Sequence, residues 1–371
     1  MKLEKFLATV AIMMYGILML AQNAVAVHVK YEFDRYGRIG SIISVNLINE
    51  TNTFHYSYLS GTDLVNGYTN SIGLKVFKGF EKHRECISSI SNTWNGNLIS
   101  AFIYRNDSLK KRVCREDYNA SGLQSSNTFS YNARGEIIGS SISGNTYTYA
   151  YDSIGNRIAS AGNNVTNTYT ANSLNQCVSV SDSQSSISRS FDTDGNVTHD
   201  NVWHYQWNAN NRLHTVHALV ESNGSFHVQN KYDSLGRKTS KAIFQLSGRG
   251  SGYPMDPSQA GEWELNKAHE YVWNDMNMVL EKTTDFKTTN TTVKTYTWGL
   301  DLSGTFKNAG GIGGLLMVSV AKGTVVNNYY PVADAKAALQ FFCKIKKCVI
   351  KASFLSHSNK RLPLPIRRLS R

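Results

Sequence analysis

The sequence of 371 residues is poor in charged residues, proline and cysteine. Its five cysteines are too few for a disulfide scaffold, and they lack the spacing of a zinc site. We expect separate buried thiols, with a Cys86–Cys114 bridge as the alternative in an oxidising compartment. The chain instead has 28 Gly, 20 Tyr, 15 Phe and 6 Trp, with only 18% charged residues. This composition is typical of β-structure with many turns.

Acidic residues are absent from the last part of the chain. Residues 336–371 hold ten Lys or Arg and no Asp or Glu, so they supply +10 of the net charge of +12. Residues 1–335 therefore carry only +2. An almost neutral body lacks the broad positive surface that nucleic-acid binding requires. We predict no specific nucleic-acid partner.

The longest apolar run stands at the N-terminus. It covers the 16 residues from Phe6 to Ala21, after two lysines, and the small residues around Ala26 follow it. This order is typical of a secretory signal peptide, cleaved after Ala26. We predict a signal peptide at 1–26 and a mature protein that is secreted or held at the cell surface. A membrane span needs about 20 residues, so a retained anchor is the less favoured alternative.

A short motif recurs along the central part of the chain, four times at a spacing of 20 residues. These copies are "YNARGE" from Tyr131, "YDSIGN" from Tyr151, "ANSLNQ" from Ala171 and "FDTDGN" from Phe191. Looser copies begin at Phe33, Trp207, Tyr232 and Trp273. Periodicity of this kind predicts a repeat architecture.

Each copy is predicted to form a strand, a tight turn and a second strand. Before the turn, aromatic residues alternate, as at Tyr147, Tyr149 and Tyr151, which places their rings on one face of a strand. An Asp or Asn then begins the turn, and a Gly three residues later supplies the left-handed backbone. The predicted structural turn residues are Asp34 and Gly37, Asn132 and Gly135, Asp152 and Gly155, Asp192 and Gly195, and Asp233 and Gly236.

The repeat predicts an all-β fold. One hairpin is marginal alone, but hairpins placed side by side pair their edges and bury their aromatic faces. Because strands twist with a fixed hand, the antiparallel sheet is expected to coil into a curved, open partial shell. A short array leaves exposed strand edges, which favour self-association.

The motifs "YDSIGNR" at 151–157 and "YDSLGR" at 232–237 resemble the RHS/YD-repeat family, and the resemblance covers about residues 30–335. It implies a spiralling sheet that forms a hollow shell. Members include polymorphic toxins, shell components of insecticidal toxin complexes, wall-associated proteins and teneurins. The resemblance also implies another RHS-repeat chain as an alternative partner.

Many bacterial members of that family continue into a conserved core that ends in an Asp-Pro-x-Gly-Leu-like motif and, in toxin-complex members, supplies self-cleavage. This sequence has no such motif, and its one Asp-Pro lies in "MDPSQ" at 255–259. We therefore predict a chain truncated before the core, with a repeat β-domain at 27–335 and a basic non-repeat tail at 336–371. We predict no enzyme activity and no cofactor.

The tail has helical spacing of apolar residues at Ala338, Phe342, Ile345 and Val349. This pattern predicts a basic amphipathic helix. An extension without function is the favoured interpretation. Weak contact with an anionic membrane and a toxic tip are the alternatives. Apart from this tail, the signal peptide is the only segment for which we expect membrane contact, and that contact is transient.

Two candidate sites of other kinds carry little weight. The string "DTDGN" at 192–196 begins like a calcium loop, but Trp203 stands where the bidentate acid belongs. His204, His214 and His217 are close in sequence, but they are predicted to be solvent-facing and to bind no metal, because residues three apart on a strand face opposite sides.

The sequence thus favours an exported, non-enzymatic structural or surface-interaction protein, related to toxin-delivery shells. A first alternative is a module that binds carbohydrate or cell wall, with a cell-surface glycan stacked on Trp203, Tyr205 and Trp207. A second alternative is a polymorphic toxin whose C-terminal segment is the effector.

Overall fold

The computed structural model of the chain describes residues 28–248, 261–334 and 339–344. Within these ranges it contains 27 β-strands and no helix, so the all-β prediction is confirmed. No helix of the described residues is long and apolar enough to cross a membrane. The predicted signal peptide at 1–26, the "MDPSQ" string and most of the tail lie outside the described residues.

Within each of two sheets, every strand pairs with its neighbours in sequence, and every pairing is antiparallel. The first sheet has 15 strands. In order, they are β1 (His28–Phe33), β2 (Ile39–Val45), β3 (Thr51–Tyr58), β4 (Val65–Asn70), β5 (Leu74–Phe80), β6 (Ile87–Trp94), β7 (Asn97–Asn106), β8 (Arg112–Asn119), β9 (Gly122–Tyr131), β10 (Ile137–Ile142), β11 (Asn145–Tyr151), β12 (Arg157–Gly162), β13 (Val165–Ala171), β14 (Cys177–Ser181) and β15 (Ser186–Ser188).

The second sheet has 12 strands in the same sequential order. They are β16 (Ser190–Phe191), β17 (Val197–His199), β18 (Trp203–Trp207), β19 (Leu213–Ala218), β20 (Phe226–Tyr232), β21 (Lys238–Ser247), β22 (Glu262–Asn274), β23 (Asn277–Asp285), β24 (Asn290–Trp298), β25 (Leu315–Lys322), β26 (Val325–Ala333) and β27 (Leu339–Lys344). Neither sheet closes into a barrel.

The main core lies where the two ends of the array pack against each other. Its buried side chains include Ile42, Phe54 and Leu74 from the first sheet, and Leu316 and Tyr330 from the second. Polar contacts join the same strands, and the Ser44 and Thr297 hydroxyl oxygens are 2.8 Å apart. The chain therefore curves until its first and last hairpins form two layers around a shared apolar core.

The middle of the array is a single layer. Between residues 115 and 245 no apolar side chain is fully buried, although Phe54 near the start of the chain is completely buried. The aromatic stripe at Tyr147, Tyr149 and Tyr151 is only half-buried. The expectation that the aromatic faces form core is thus met only where the opposite end of the array covers them.

The two sheets meet at a seam, the strand segment from Ser186 to Phe191. Its first half pairs with β14, its second half pairs with β17, and Arg189 lies between them. The Asn201 side chain bridges the seam, because its Nδ2 donates to Ser186 O and its Oδ1 accepts from Ser188 N. The sheet order is therefore continuous along the chain although the hydrogen-bonded ladder is interrupted.

Two local predictions differ from the structure. The helical spacing in the tail is wrong for Leu339–Lys344, because this segment adds an antiparallel strand to β26. The copy predicted at Trp273 does not form the Asp-x-x-Gly turn, because Asp275 and Met276 form a two-residue hairpin loop between β22 and β23. As expected, Cys86 and Cys114 are separate thiols.

Candidate functional site

The repeat turns share one hydrogen-bonding pattern, which the turn at Asp34 illustrates. The Asp34 amide donates to Arg38 O at 2.7 Å, and the Gly37 amide donates to Asp34 O at 3.0 Å. Asp34 Oδ1 accepts from the backbone amides of Tyr36 and Arg38. Gly37 has a φ of 78°, in the left-handed region. The carboxylate thus satisfies amides that the strands leave unpaired, and the glycine closes the turn.

The same pattern recurs at the other predicted turn residues. The left-handed residue has a φ between 82° and 91° at Gly135, Gly155, Gly195 and Gly236, after Asn132, Asp152, Asp192 and Asp233. Two further copies place Asn175 and Asn211 in this conformation, with φ values of 60° and 55°. Asn is the residue after glycine that best tolerates it.

Four more turns of this type were missed by the sequence analysis. They begin at Asn46, Asn70, Asp107 and Asp301, and their left-handed residues are Asn49, Gly73, Lys110 and Gly304. Three of these four fit an Asp/Asn-x-x-Gly/Asn spacing. That spacing alone would have found them had an aromatic residue not also been required before it.

The residue after the turn glycine ties one repeat to the next. Arg38 Nε donates to Asp34 Oδ2 at 2.8 Å, and its Nη1 donates to Thr62 O in the following turn at 2.6 Å. Arg237 does the same with Asp233 and with Asp275 O. We call this interaction the strap. It explains why Arg follows the turn glycine in these copies.

The aromatic residue before the turn ties its repeat to the preceding one. The Tyr151 hydroxyl donates to Ile137 O at 2.9 Å, and Ile137 is the first residue of the strand that leaves the preceding turn. We call this interaction the staple. Six more donors make it, each to a carbonyl of the preceding repeat: Tyr58, Tyr131, Trp207, Tyr232, Trp273 and Trp298.

The staple is missing next to the seam. Ala171 and Phe191 stand at the staple position of their copies and have no side-chain donor. The carbonyl of Cys177, which Phe191 cannot reach with a hydrogen bond, instead accepts from Arg189 Nη1 at 3.4 Å. The seam thus coincides with two consecutive copies of the motif that lack the staple.

The turn carboxylates are held in their charged form. Burial alone would raise the pKa of Asp34, but hydrogen bonds from the Arg38 guanidinium and from two backbone amides outweigh it and lower that pKa. At Asp192 the Asn196 side-chain amide is the main cause of a lowered pKa. Both Asp192 oxygens accept hydrogen bonds within the turn, so this carboxylate serves the hairpin and not an ion.

The three residues predicted to stack on a ligand lie along β18, and two of them have structural roles. Trp207 Nε1 makes a staple to Val197 O at 2.7 Å. The Tyr205 hydroxyl donates to Asp200 Oδ2 at 2.9 Å. Burial raises the pKa of Tyr205, and the hydrogen bond to Asp200 raises it further. Trp203, Tyr205 and Trp207 are each half-buried, so their ring faces are only partly accessible.

A shallow cleft lies on the tyrosine face of the single layer. Its volume is about 420 Å³, and Phe129, Ile137, Tyr149 and Arg157 are among its lining residues. The Arg157 guanidinium lies over the ring of Tyr149, 4.9 Å from the centroid. Arg157 makes no ion pair within the described residues.

The histidines are arranged differently from the sequence prediction. His204 and His217 are in register on adjacent strands and contact each other, with His204 Nδ1 3.1 Å from His217 Nε2. His199 and His227, which the sequence analysis did not connect with them, extend the row on both sides. His214 lies apart and faces Asn230 O. The prediction of solvent-facing histidines agrees with His214, which is exposed, whereas His204 and His217 are half-buried.

Within the ranges that the structure describes, no group of three or more His, Cys, Asp or Glu residues is placed to hold a metal ion. The polar groups of the repeat turns bond mostly to the backbone of their own or a neighbouring repeat. The arrangement is suited to building and stiffening a sheet.

Comparison with solved structures gives only distant likenesses. The structure titled TcdB2-TccC3-Cdc42 aligns with a TM-score of 0.40 and 11% identity, over 86% of this chain and 22% of that one. The Photorhabdus luminescens Tc holotoxin pore, with a TccC3 mutation, aligns with a TM-score of 0.39 and 11% identity, over 85% of this chain and 21% of that one. A porin-like protein of Bacteroides uniformis has a TM-score of 0.22 and 13% identity, over 64% of this chain and 88% of that one.

These TM-scores are too low to establish a shared topology, and the chain spans about a fifth of the length of the two toxin structures. No curated protein matches the chain in sequence. Residues 97–245 match the family model of the Teneurin YD-shell. The match covers the repeats from β7 to β21, where the turns and staples recur. Residues 97–245 therefore carry the RHS/YD repeat.

Proposed function

We propose that the chain is an exported, non-enzymatic structural protein whose repeats form part of a curved protein wall, as in toxin-delivery shells. The observation that carries this proposal is that the repeat side chains make hydrogen bonds within the sheet itself. In the turns at Asp34 and Asp233, the Asp and Arg side chains bond to backbone groups of their own or the next repeat. The link to toxin delivery comes from the resemblance of the repeats to RHS proteins.

A row of exposed apolar side chains supports association with a second repeat chain. The residue two positions after the turn Asp or Asn is 66% exposed at Ile154, 74% at Leu174 and 63% at Leu235. The turns that hold them follow alternate strands and so lie on one edge of the array. Exposed apolar rows of this kind mark interaction surfaces. The first strand, β1, also has an unpaired edge within the described residues.

Self-association is tested by size-exclusion chromatography with light scattering on the full chain without residues 1–26. We expect a mass above that of one chain. We also expect the double variant Ile154→Ser with Leu174→Ser to shift the distribution toward the monomer, while Val165→Ser with Val325→Ser, on the opposite ends of the hairpins, does not. A monodisperse monomer for the unaltered chain would contradict this part of the proposal.

Export is tested separately, by expressing the full chain in a bacterium and fractionating the cells. We expect the mature N-terminus to follow Ala26 and the protein to leave the cytoplasm. Full-length protein that stays in the cytoplasm would show that residues 1–26 are no signal peptide.

Glycan binding is a second candidate, because the rings of Trp203 and Trp207 are partly exposed on one face of β18. Trp203→Ala is the cleaner test, since Trp207 also makes a staple. Binding on a glycan array that is lost in Trp203→Ala would favour this function. An effector role for the segment 336–371 rests on sequence alone, and deleting that segment should abolish any toxicity.

A further inference from the structure

The histidine row crosses four adjacent strands in register. The backbone pairs are His199↔His204, His204↔His217 and His217↔His227, on β17, β18, β19 and β20. Ring centroids are 4.8 Å apart for His204 and His217, and 5.9 Å apart for His217 and His227. Four imidazoles thus share one face of the sheet, where each added proton would repel the next.

The hydrogen bonds determine which ring nitrogens of His204 and His217 carry the hydrogen when both rings are neutral. His217 Nδ1 is 3.2 Å from the carbonyl oxygen of Ala218, which can only accept, so this nitrogen carries the hydrogen. His217 Nε2 is then the acceptor for the Nδ1–H of His204 at 3.1 Å. One proton shared by the pair keeps a hydrogen bond between the rings, but a second leaves N–H groups on both His204 Nδ1 and His217 Nε2, which then face each other.

The surroundings of His204 and His227 also favour the neutral state. His227 Nε2 is buried and makes no hydrogen bond within the described residues. Burial, together with the neighbouring His217, lowers the pKa of His204 and of His227. One group opposes this effect, since the Glu221 carboxylate lies 4.0 Å from His217 Nδ1. His214 is the further titratable group that acts on His227.

The row crosses the narrowest part of the sheet. His199↔His204 is the one register pair that joins β17 to β18 in the described structure. The strands β16 and β17 are two and three residues long and adjoin the seam. A change at these histidines therefore acts on the link between the seam and the rest of the second sheet.

We propose that the row of His199, His204, His217 and His227 is an acid-sensitive site at which the sheet opens beside the seam. Above about pH 7 His204 and His227 are neutral and the His204–His217 hydrogen bond is intact. Below about pH 6 the opened strands bind protons that the closed strands exclude, so acid favours opening. The sign follows from pKa values that are lowered in the folded chain.

Hydrogen–deuterium exchange of the unaltered full chain tests the proposal, with rates corrected for intrinsic exchange. One histidine that stays neutral in the closed state increases opening about tenfold at one pH unit below its ordinary pKa. We therefore expect exchange in 197–232 to rise about tenfold between about pH 7.5 and about pH 5.5, relative to 39–104. An equal rise in both regions, or none in 197–232, would overturn the proposal without any variant.

The double variant His204→Gln with His217→Gln tests whether these two histidines cause the rise in exchange, because glutamine keeps polar contacts and does not titrate. We expect it to reduce the acid-induced rise in 197–232 to less than about threefold. The matched control is His214→Gln, whose side chain lies outside the row. Retention of the full rise in the double variant, or its loss in the control, would refute the assignment.

Discussion

At the scale of single residues, a substitution at Gly37 tests how much the left-handed backbone conformation alone contributes to stability. Its φ is 78°, and no atom lies within 4 Å of the position that a Cβ would take. A side chain there would meet no steric contact, so only the left-handed backbone opposes it. We expect Gly37→Ala to lower the free energy of unfolding by about 1 kcal/mol, measured by urea denaturation.

The matched control is Gly37→Asn. Asn already occupies the equivalent position at Asn175 and Asn211, so Gly37→Asn should lower the free energy of unfolding by less than Gly37→Ala does. Equal losses for Ala and Asn would show that the left-handed conformation is not what the position selects.

The sequence predicted the turn residues because their function is local. Asp34 and Gly37 act within one five-residue segment, and their spacing is visible in the chain. The staple and the strap were not predicted, because donor and acceptor lie in different repeats. Tyr58 and Ile39, for example, are 19 residues apart and meet only once the hairpins are paired.

At the scale of the repeat element, the staple is tested by Tyr151→Phe. The variant keeps the ring and removes the hydroxyl that donates to Ile137 O at 2.9 Å. We expect the free energy of unfolding to fall by about 1 kcal/mol, measured by urea denaturation. Tyr149→Phe is the control, since the Tyr149 hydroxyl makes no hydrogen bond in the described part of the chain. If Tyr149→Phe lowered the free energy of unfolding by as much, the effect would not come from the hydrogen bond to Ile137 O.

The predictions for single elements were wrong where tertiary contacts, and not the local spacing of residues, determined the structure. Phe342 fits a helical spacing in the tail, yet its segment pairs with β26 because that strand offers an open edge. His204 and His217 are 13 residues apart in sequence and become neighbours through the β18–β19 register. The alternation of polar and aromatic residues identified the strands, but only the register shows which side chains meet.

At the scale of the whole molecule, the Arg115–Asp334 ion pair joins β8 of the first sheet to the residue that follows β26 of the second. Arg115 Nη1 lies 2.7 Å from Asp334 Oδ2, and the Asp334 side chain is 2% exposed. Arg115→Met removes the guanidinium from a buried carboxylate, so we expect a loss of about 3 kcal/mol in the free energy of unfolding. Denaturant midpoints measure this loss.

Arg105→Met is the control for this pair. Arg105 is 65% exposed and lies 3.5 Å from Glu116, and exposed pairs of this kind contribute less than about 1 kcal/mol. The sequence could not predict the contact between the two ends, because no local pattern encodes how far a coiled sheet turns. A loss for Arg115→Met no greater than that for Arg105→Met would contradict the two-layer core.

The most direct test of the architecture is a cysteine pair across the two layers. Ser44 and Thr297 are separated by 253 positions in sequence, and their hydroxyl oxygens are 2.8 Å apart. We expect Ser44→Cys with Thr297→Cys to form an intramolecular disulfide under mild oxidation, seen as a linked peptide by mass spectrometry. The pair Ser44→Cys with Thr168→Cys, whose second site is in the single layer, should not. Absence of the Ser44–Thr297 link, or a link only between separate chains, would contradict a sheet that coils until its ends pack together.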